Sequence, residues 1–110
     1  MNNSCVFCKI AKGDIPKKFG YEDKDVMVFD DINPLAPIHI LVVPKAHIED
    51  FNTLDDSKLW DKMRTIAQEM VDKKGIKNKG YRIVINGGGA QIIDHLHLHV
   101  TGPLGKSAQM

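Results

Sequence analysis

His95-Leu96-His97-Leu98-His99-Val100 places three of the chain's five histidines at every second position. Alternation with period two is a strand signature, because successive side chains point to opposite faces. The expectation is a strand over 95–100, with the imidazoles of His95, His97 and His99 lined up on one face and Leu96, Leu98 and Val100 turned into a core. Three uses of the histidine face stay open on these residues alone. They are tolerated polar side chains facing solvent, ligands converging on one metal ion, or imidazoles acting on a substrate as nucleophile or acid/base. The last suits a group that titrates near neutrality.

Working outward, the glycine-rich stretch Asn86-Gly87-Gly88-Gly89-Ala90-Gln91 precedes the histidines, and Tyr81-Arg82-Ile83-Val84-Ile85-Asn86 precedes the glycines. Strand, glycine loop, strand implies antiparallel pairing. Upstream, Leu59, Met63, Ile66 and Met70 recur at helical spacing, with Ala67 and Val71 widening the apolar stripe. Thr53 or Asp55 is placed to cap this long helix and Lys73-Lys74-Gly75 to stop it. Its methionines and Trp60 read as core packing. Ile38-His39-Ile40-Leu41-Val42-Val43 is apolar on both faces, which points to a central strand, and Pro44 stops it. Residues 19–22 and 26–29 flank the charged turn Asp23-Lys24-Asp25 as a hairpin, and residues 6–11 ahead of Gly13 make one or two helical turns. The order predicts an α+β fold: an antiparallel sheet of about five strands with one long helix and a short N-terminal helix.

The 110 residues are 43% hydrophobic and 26% charged, an ordinary composition for a soluble globular chain. Neither a repeat nor a linker interrupts them, so 1–110 reads as a single domain, with 103–110 as a loose C-terminal tail. A formal charge of +1, with lysines spread along the sequence, leaves no footprint for nucleic acid or an anionic membrane. A small phosphorylated ligand remains compatible. The start Met1-Asn2-Asn3-Ser4 has neither a basic leader nor an apolar run, and no segment is long enough to span a bilayer. A cytoplasmic setting is expected. A chain of this length buries roughly two-thirds of its unfolded surface, so pairing with a second copy would extend the core.

Consecutive glycines leave N–H groups unshielded, so the loop beside the histidines is able to cradle a phosphate, although glycines in such loops are usually turn formers. His39 is either a core histidine satisfied by a carbonyl or a residue that orients a nucleophilic imidazole. Cys5-x-x-Cys8 is half of a zinc site, a redox pair or two unliganded thiols. For zinc, His47 and one histidine of the triad are the available further ligands.

The pattern resembles the histidine triad (HIT) superfamily, and within it the small Hint-type and bacterial HIT proteins. Besides residues 95–101, the ordered segments Cys5-Val6-Phe7-Cys8-Lys9-Ile10 with Gly13-Asp14-Ile15-Pro16, Phe29-Asp30-Asp31-Ile32-Asn33-Pro34, and residues 36–47 carry it. The resemblance implies a homodimeric α+β fold that binds purine nucleotides. It implies hydrolysis at the α-phosphorus of adenosine phosphoramidates, other nucleoside phosphoramidates or aminoacyl adenylates, with release of a nucleoside monophosphate. By that pattern His97 is the nucleophile and forms a nucleotidyl-histidine intermediate. His39 would orient it, and His99 with Asn86 and the loop amides would hold the phosphate oxygens. Asp31 would bind the ribose, and Phe7, Ile10, Phe29, Ile32 and Leu41 would form the base pocket, with Gln91 and Ile93 completing the nucleotide-binding set. The zinc-bearing relatives imply a structural zinc on Cys5, Cys8, His47 and His95, and no catalytic metal. Two departures stand out. Gln91 is followed by Ile92, where relatives often carry a hydroxyl that helps the leaving group, and the tail lacks the tryptophan of Hint proteins. A nucleotide-binding or scaffold protein with little chemistry is therefore the alternative.

Overall fold

The structure, a computed structural model, describes residues 4–106. Helix α1 (Val6–Lys12) is followed by strands β1 (Tyr21–Glu22), β2 (Val26–Asp30) and β3 (Ile38–Pro44). A 3₁₀ turn (Phe51–Thr53) leads into helix α2 (Ser57–Lys73), and strands β4 (Arg82–Ile85) and β5 (Leu98–Gly102) complete the fold. The five strands form one antiparallel sheet in the order β1-β2-β3-β5-β4. The strand that is apolar on both faces, β3, lies at its centre, and β4 is an edge. Among the described residues, no helix is long and apolar enough to cross a membrane.

Parity divides the side chains between two layers. Val26, Val28, Ile40, Val42, Leu98 and Val100 join Met63, Ile66, Ala67 and Met70 of α2 in one buried cluster. Each large side chain sealed there is worth about 1.5–3 kcal/mol of burial. The opposite face carries Met27, Phe29, Leu41 and Val43, covered by Phe7, Cys8 and Ile10 of α1. At seven residues, α1 covers the β2–β3 half of that face. The register then sets Phe29, Leu41, His99 and Val84 in one row, and His39, Thr101 and Arg82 in the next. The β5–β4 half of the face lies outside the α1 cluster and carries His99 and Thr101.

Local chemistry moves several expected boundaries. The histidine strand begins at Leu98 rather than at residue 95, because the N–H of Leu96 donates to the Ile48 carbonyl (2.7 Å) and that of His95 to Ile93 (2.8 Å), outside the sheet. The two-faced alternation nevertheless persists, with Leu96, Leu98 and Val100 each at most 2% exposed. Neither Thr53 nor Asp55 caps α2. Asp56 does, accepting the Leu59 N–H at 3.0 Å, while Thr53 closes a capping box with Asp50 one turn earlier. The segment expected to be a loose tail is tied at its start: the N–H groups of Leu104 and Gly105 donate to the carbonyls of Gly80 (2.6 Å) and Lys79 (2.9 Å). Gly80 has φ +80, and a Cβ there would strike the Gly105 backbone, so only glycine permits this approach. Residues 107–110 of the expected tail lie outside the described residues.

Candidate active site

The three histidines keep to one side of the chain but do not line an open surface: His95 is fully buried, and the ring centroids of His97 and His99 lie 4.9 Å apart. His97 is 7% exposed and sits edge-on to Phe7, with ring centroids 5.2 Å apart at 81°. Its Nδ1 lies 2.7 Å from the His95 carbonyl. A carbonyl only accepts, so Nδ1 carries the proton and Nε2 is left with the lone pair. Backbone thus sets the tautomer that the sequence assigned to His39 to enforce.

His39 does something else. The Leu35 N–H donates to its Nδ1 at 3.0 Å, which places the His39 proton on Nε2. That Nε2 lies 2.9 Å from Nδ1 of His99 and 3.3 Å from Oδ2 of Asp31. His99 Nδ1 therefore accepts, and its Nε2–H becomes a donor. Asp31 is 3.9 Å from the same His99 nitrogen, and its Oδ1 accepts the Asn33 N–H at 2.8 Å. The donor atoms of Asp31, His39 and His99 lie within 4.8 Å of one another, close enough to consider an ion. A metal on His39 Nε2 would have to displace its proton while the opposite nitrogen accepts from Leu35, so the three form a hydrogen-bonded relay. Burial pushes the His99 pKa below its ordinary 6.5, nearby His97 and His39 push the same way, and the Asp31 carboxylate opposes them. A neutral His99 is what the relay requires.

The second cluster gathers the CxxC pair. Cys5 caps α1, and its Sγ lies 3.3 Å from Nδ1 of His95. Cys8 Sγ lies 3.2 Å from Nδ1 of His47 and 3.6 Å from that of His95. All four donor atoms fall within 4.8 Å of one another, and neither cysteine is in a disulfide. His95 Nε2–H donates to the Pro44 carbonyl at 2.7 Å, which leaves its Nδ1 lone pair facing the sulfurs. Burial lowers the pKa of this fully enclosed ring to about 4, with His47 and His97 adding to the shift and the Pro44 bond opposing it. Two thiols and two neutral imidazoles form a donor set that could hold a metal ion.

A cavity of about 180 Å³ borders the relay, lined by His39, His99, Asn86, Arg82, Thr101 and Leu35 among others. The larger cavity, about 470 Å³, lies on the other face between α2 and β4, away from the histidines. Of the expected base pocket, Phe7, Ile10, Phe29 and Leu41 are 3–6% exposed and belong to the core under α1, with Ile93 packed against them. Ile32 stands 83% exposed beside Asp31. The glycine loop does not offer all the amides expected of it: the Gly88 N–H goes to Asp50 Oδ2 (3.0 Å), the Gly89 N–H to Gln91 Oε1 (3.1 Å) and the Ala90 N–H to the Gly87 carbonyl (3.2 Å). Gln91 spends its other end on the Glu49 carbonyl at 3.3 Å. Expected as a nucleotide contact, it braces the loop. Asp50, Arg82, Thr101 and the Leu35 N–H are the participants that sequence reasoning did not single out. Asp50-Phe51-Asn52-Thr53 does carry a readable capping box, but nothing local announces its partner thirty-eight residues on.

A family model described as scavenger mRNA decapping enzyme C-term binding matches residues 4–110. The chain is 45% identical over 101 residues to an uncharacterized HIT-like protein of Buchnera aphidicola, covering 88% of this chain and 90% of that one. It is 38% identical over 104 residues to Protein HitA of Neisseria gonorrhoeae, with coverage of 91% and 96%. Among solved structures, a HIT family hydrolase from Clostridium thermocellum superposes with a TM-score of 0.91 at 36% identity, covering 100% of this chain and 99% of that one. A histidine triad protein from Clostridium difficile gives 0.87 at 37% identity, with coverage of 100% and 97%.

Proposed function

The chain belongs to the histidine triad superfamily, and from that premise we propose that it is a purine nucleotide-binding hydrolase acting at the α-phosphorus of phosphoramidates or adenylates. The observation that carries the proposal is the bond from His97 Nδ1–H to the His95 carbonyl, which readies Nε2 as a nucleophile. In the first step Nε2 attacks phosphorus and the bond to the leaving group breaks: P–N in a phosphoramidate, the amine taking a proton from solvent, or P–O in an adenylate, releasing a carboxylate. Water then attacks the nucleotidyl-imidazole, the P–Nε2 bond breaks, and nucleoside monophosphate leaves with His97 neutral again. Asp31, alongside the relay, is the residue for the ribose hydroxyls, and Ile32 with the face above Phe7, Ile10, Phe29, Leu41 and Ile93 is the seat of the base.

Charge developing on the phosphate oxygens falls to the His99 Nε2–H and to Asn86, which share the cavity. With Gly88, Gly89 and Ala90 engaged, the N–H groups of Gly87, Gln91, Ile92, Ile93 and Asp94 are among those in the loop that no acceptor takes among the described residues. These amides, rather than those of Gly88 and Gly89, are the loop donors proposed for the phosphate.

Zinc is the metal proposed for Cys5, Cys8, His47 and His95. Once bound it would cross-link α1, the segment after β3 and the approach to β5, and a closed Cys₂His₂ shell keeps no position for substrate. A homodimer is proposed through β4, an edge strand whose Ile83, and Tyr81 just before it, are 41% and 48% exposed beside the groove between α2 and β4.

Turnover of adenosine 5′-phosphoramidate with release of AMP tests the proposal. Tight AMP binding without turnover of phosphoramidates, dinucleoside polyphosphates or adenylates would instead favour a nucleotide-binding protein. Ile92, 99% exposed and without a hydroxyl for the leaving group, is the observation on that side.

A further inference from the structure

Three consecutive residues after His47 each accept a hydrogen bond from the stretch that leads into the triad. The Ile48 carbonyl takes the Leu96 N–H (2.7 Å), the Glu49 carbonyl takes the Gln91 side-chain amide (3.3 Å), and the Asp50 carboxylate takes the Gly88 N–H (3.0 Å). Asp50 is the only one of the three that acts through its side chain, and it works in two directions. Its Oδ1 accepts the N–H groups of Asn52 (3.0 Å) and Thr53 (3.2 Å), anchoring it to the 3₁₀ turn, while Oδ2 reaches the loop. Gly88 and Gly89 have φ +65 and +95, a backbone shape that needs an external hold because glycine has many others available.

We propose that Asp50 is a positioning residue for the phosphate end of the active site. By fixing Gly88 it sets the turn between Asn86, which lines one cavity with His99, and the unengaged amides of the loop, and so the placing of both against one phosphate. The inference rests on the α-phosphorus chemistry proposed above. Asp50 touches no substrate and acts through the loop, so its loss should spoil the transition state more than nucleotide binding, whose proposed base and ribose contacts at Ile32 and Asp31 belong to the segment after β2. Misplacing such groups by about an ångström costs on the order of a hundredfold in rate.

Asp50→Asn and Asp50→Ser separate the two roles. Asparagine keeps an oxygen for Asn52 and Thr53 but turns an NH₂ toward the Gly88 N–H, and serine caps the turn without reaching the loop. Both variants should lose kcat on adenosine 5′-phosphoramidate by about ten- to a hundredfold, with the Kd for AMP within about twofold and the melting temperature close to wild type. Amide hydrogen exchange should show Gly88 losing protection in both. Loss of that protection with kcat unchanged would overturn the proposal, as would a kcat loss that appears only when the melting temperature collapses. Failure of the underlying reading is distinguishable, because the wild-type protein itself would then not turn over phosphoramidate.

Discussion

His39 Nε2 lies 2.9 Å from His99 Nδ1, so the fourth histidine of the site supports the third member of the triad and not the second. The proton order runs from the Leu35 N–H through His39 to His99, and it ends in an Nε2–H donor. The two rings should therefore behave as one unit. His39→Ala and His99→Ala should each lower kcat by about ten- to a hundredfold, and the double variant should be little worse than either. Steady-state kinetics of the four proteins decide it: effects that multiply would mean that the rings act independently.

Neutral His99 also makes a statement about stability. Burial, then the neighbouring histidines, hold its pKa below 6.5 in the folded chain, with Asp31 opposing. The unfolded chain therefore takes up the proton first as pH falls, and stability present above pH 6.5 is lost below it, down to the depressed folded value. Urea denaturation at pH 7.5 and at pH 5.5 should give a lower midpoint in acid, and His99→Gln should shrink that difference. An unchanged difference in the variant would contradict the assignment.

The cysteine cluster predicts a metal stoichiometry. Wild-type protein prepared with zinc should carry about one equivalent per chain, and Cys8→Ser should lose most of it. Chelation should lower the melting temperature of the wild type and leave that of Cys8→Ser nearly unmoved. Full metal content in Cys8→Ser, by elemental analysis, would rule the site out.

How much of this was legible in the sequence follows from how local each signal is. The alternation at 95–100, the apolar run of β3 and the helical stripe at Leu59, Met63, Ile66 and Met70 each report on their own neighbourhood, and the architecture was read from them. The start of β5 at Leu98 was not, because the Leu96 N–H is drawn off by Ile48, a partner set by the tertiary fold. Cys5, Cys8, His47 and His95 converge as the resemblance implied. The tautomers depend on the His95 and Pro44 carbonyls and the Leu35 N–H, backbone atoms that composition cannot flag. Gln91, a nucleotide contact by the resemblance, bonds at both ends to the chain, to partners the fold supplies.

The edge strand predicts an assembly. Sedimentation equilibrium should find two chains for the wild type, and Ile83→Lys, which puts a charge on the exposed side of β4, should shift it to one chain with an unchanged far-ultraviolet spectrum. A wild type that sediments as a single chain at micromolar concentration would contradict the dimer.

The proposed catalysis turns on a lone pair at His97 Nε2. Rapid quenching during turnover of adenosine 5′-phosphoramidate, followed by intact-protein mass spectrometry and peptide mapping, measures it most directly. An adenylyl adduct on His97 that forms and decays with product release, and is missing from His97→Ala, is the predicted result. Turnover with the adduct on another residue, or full activity in His97→Ala, would contradict the mechanism.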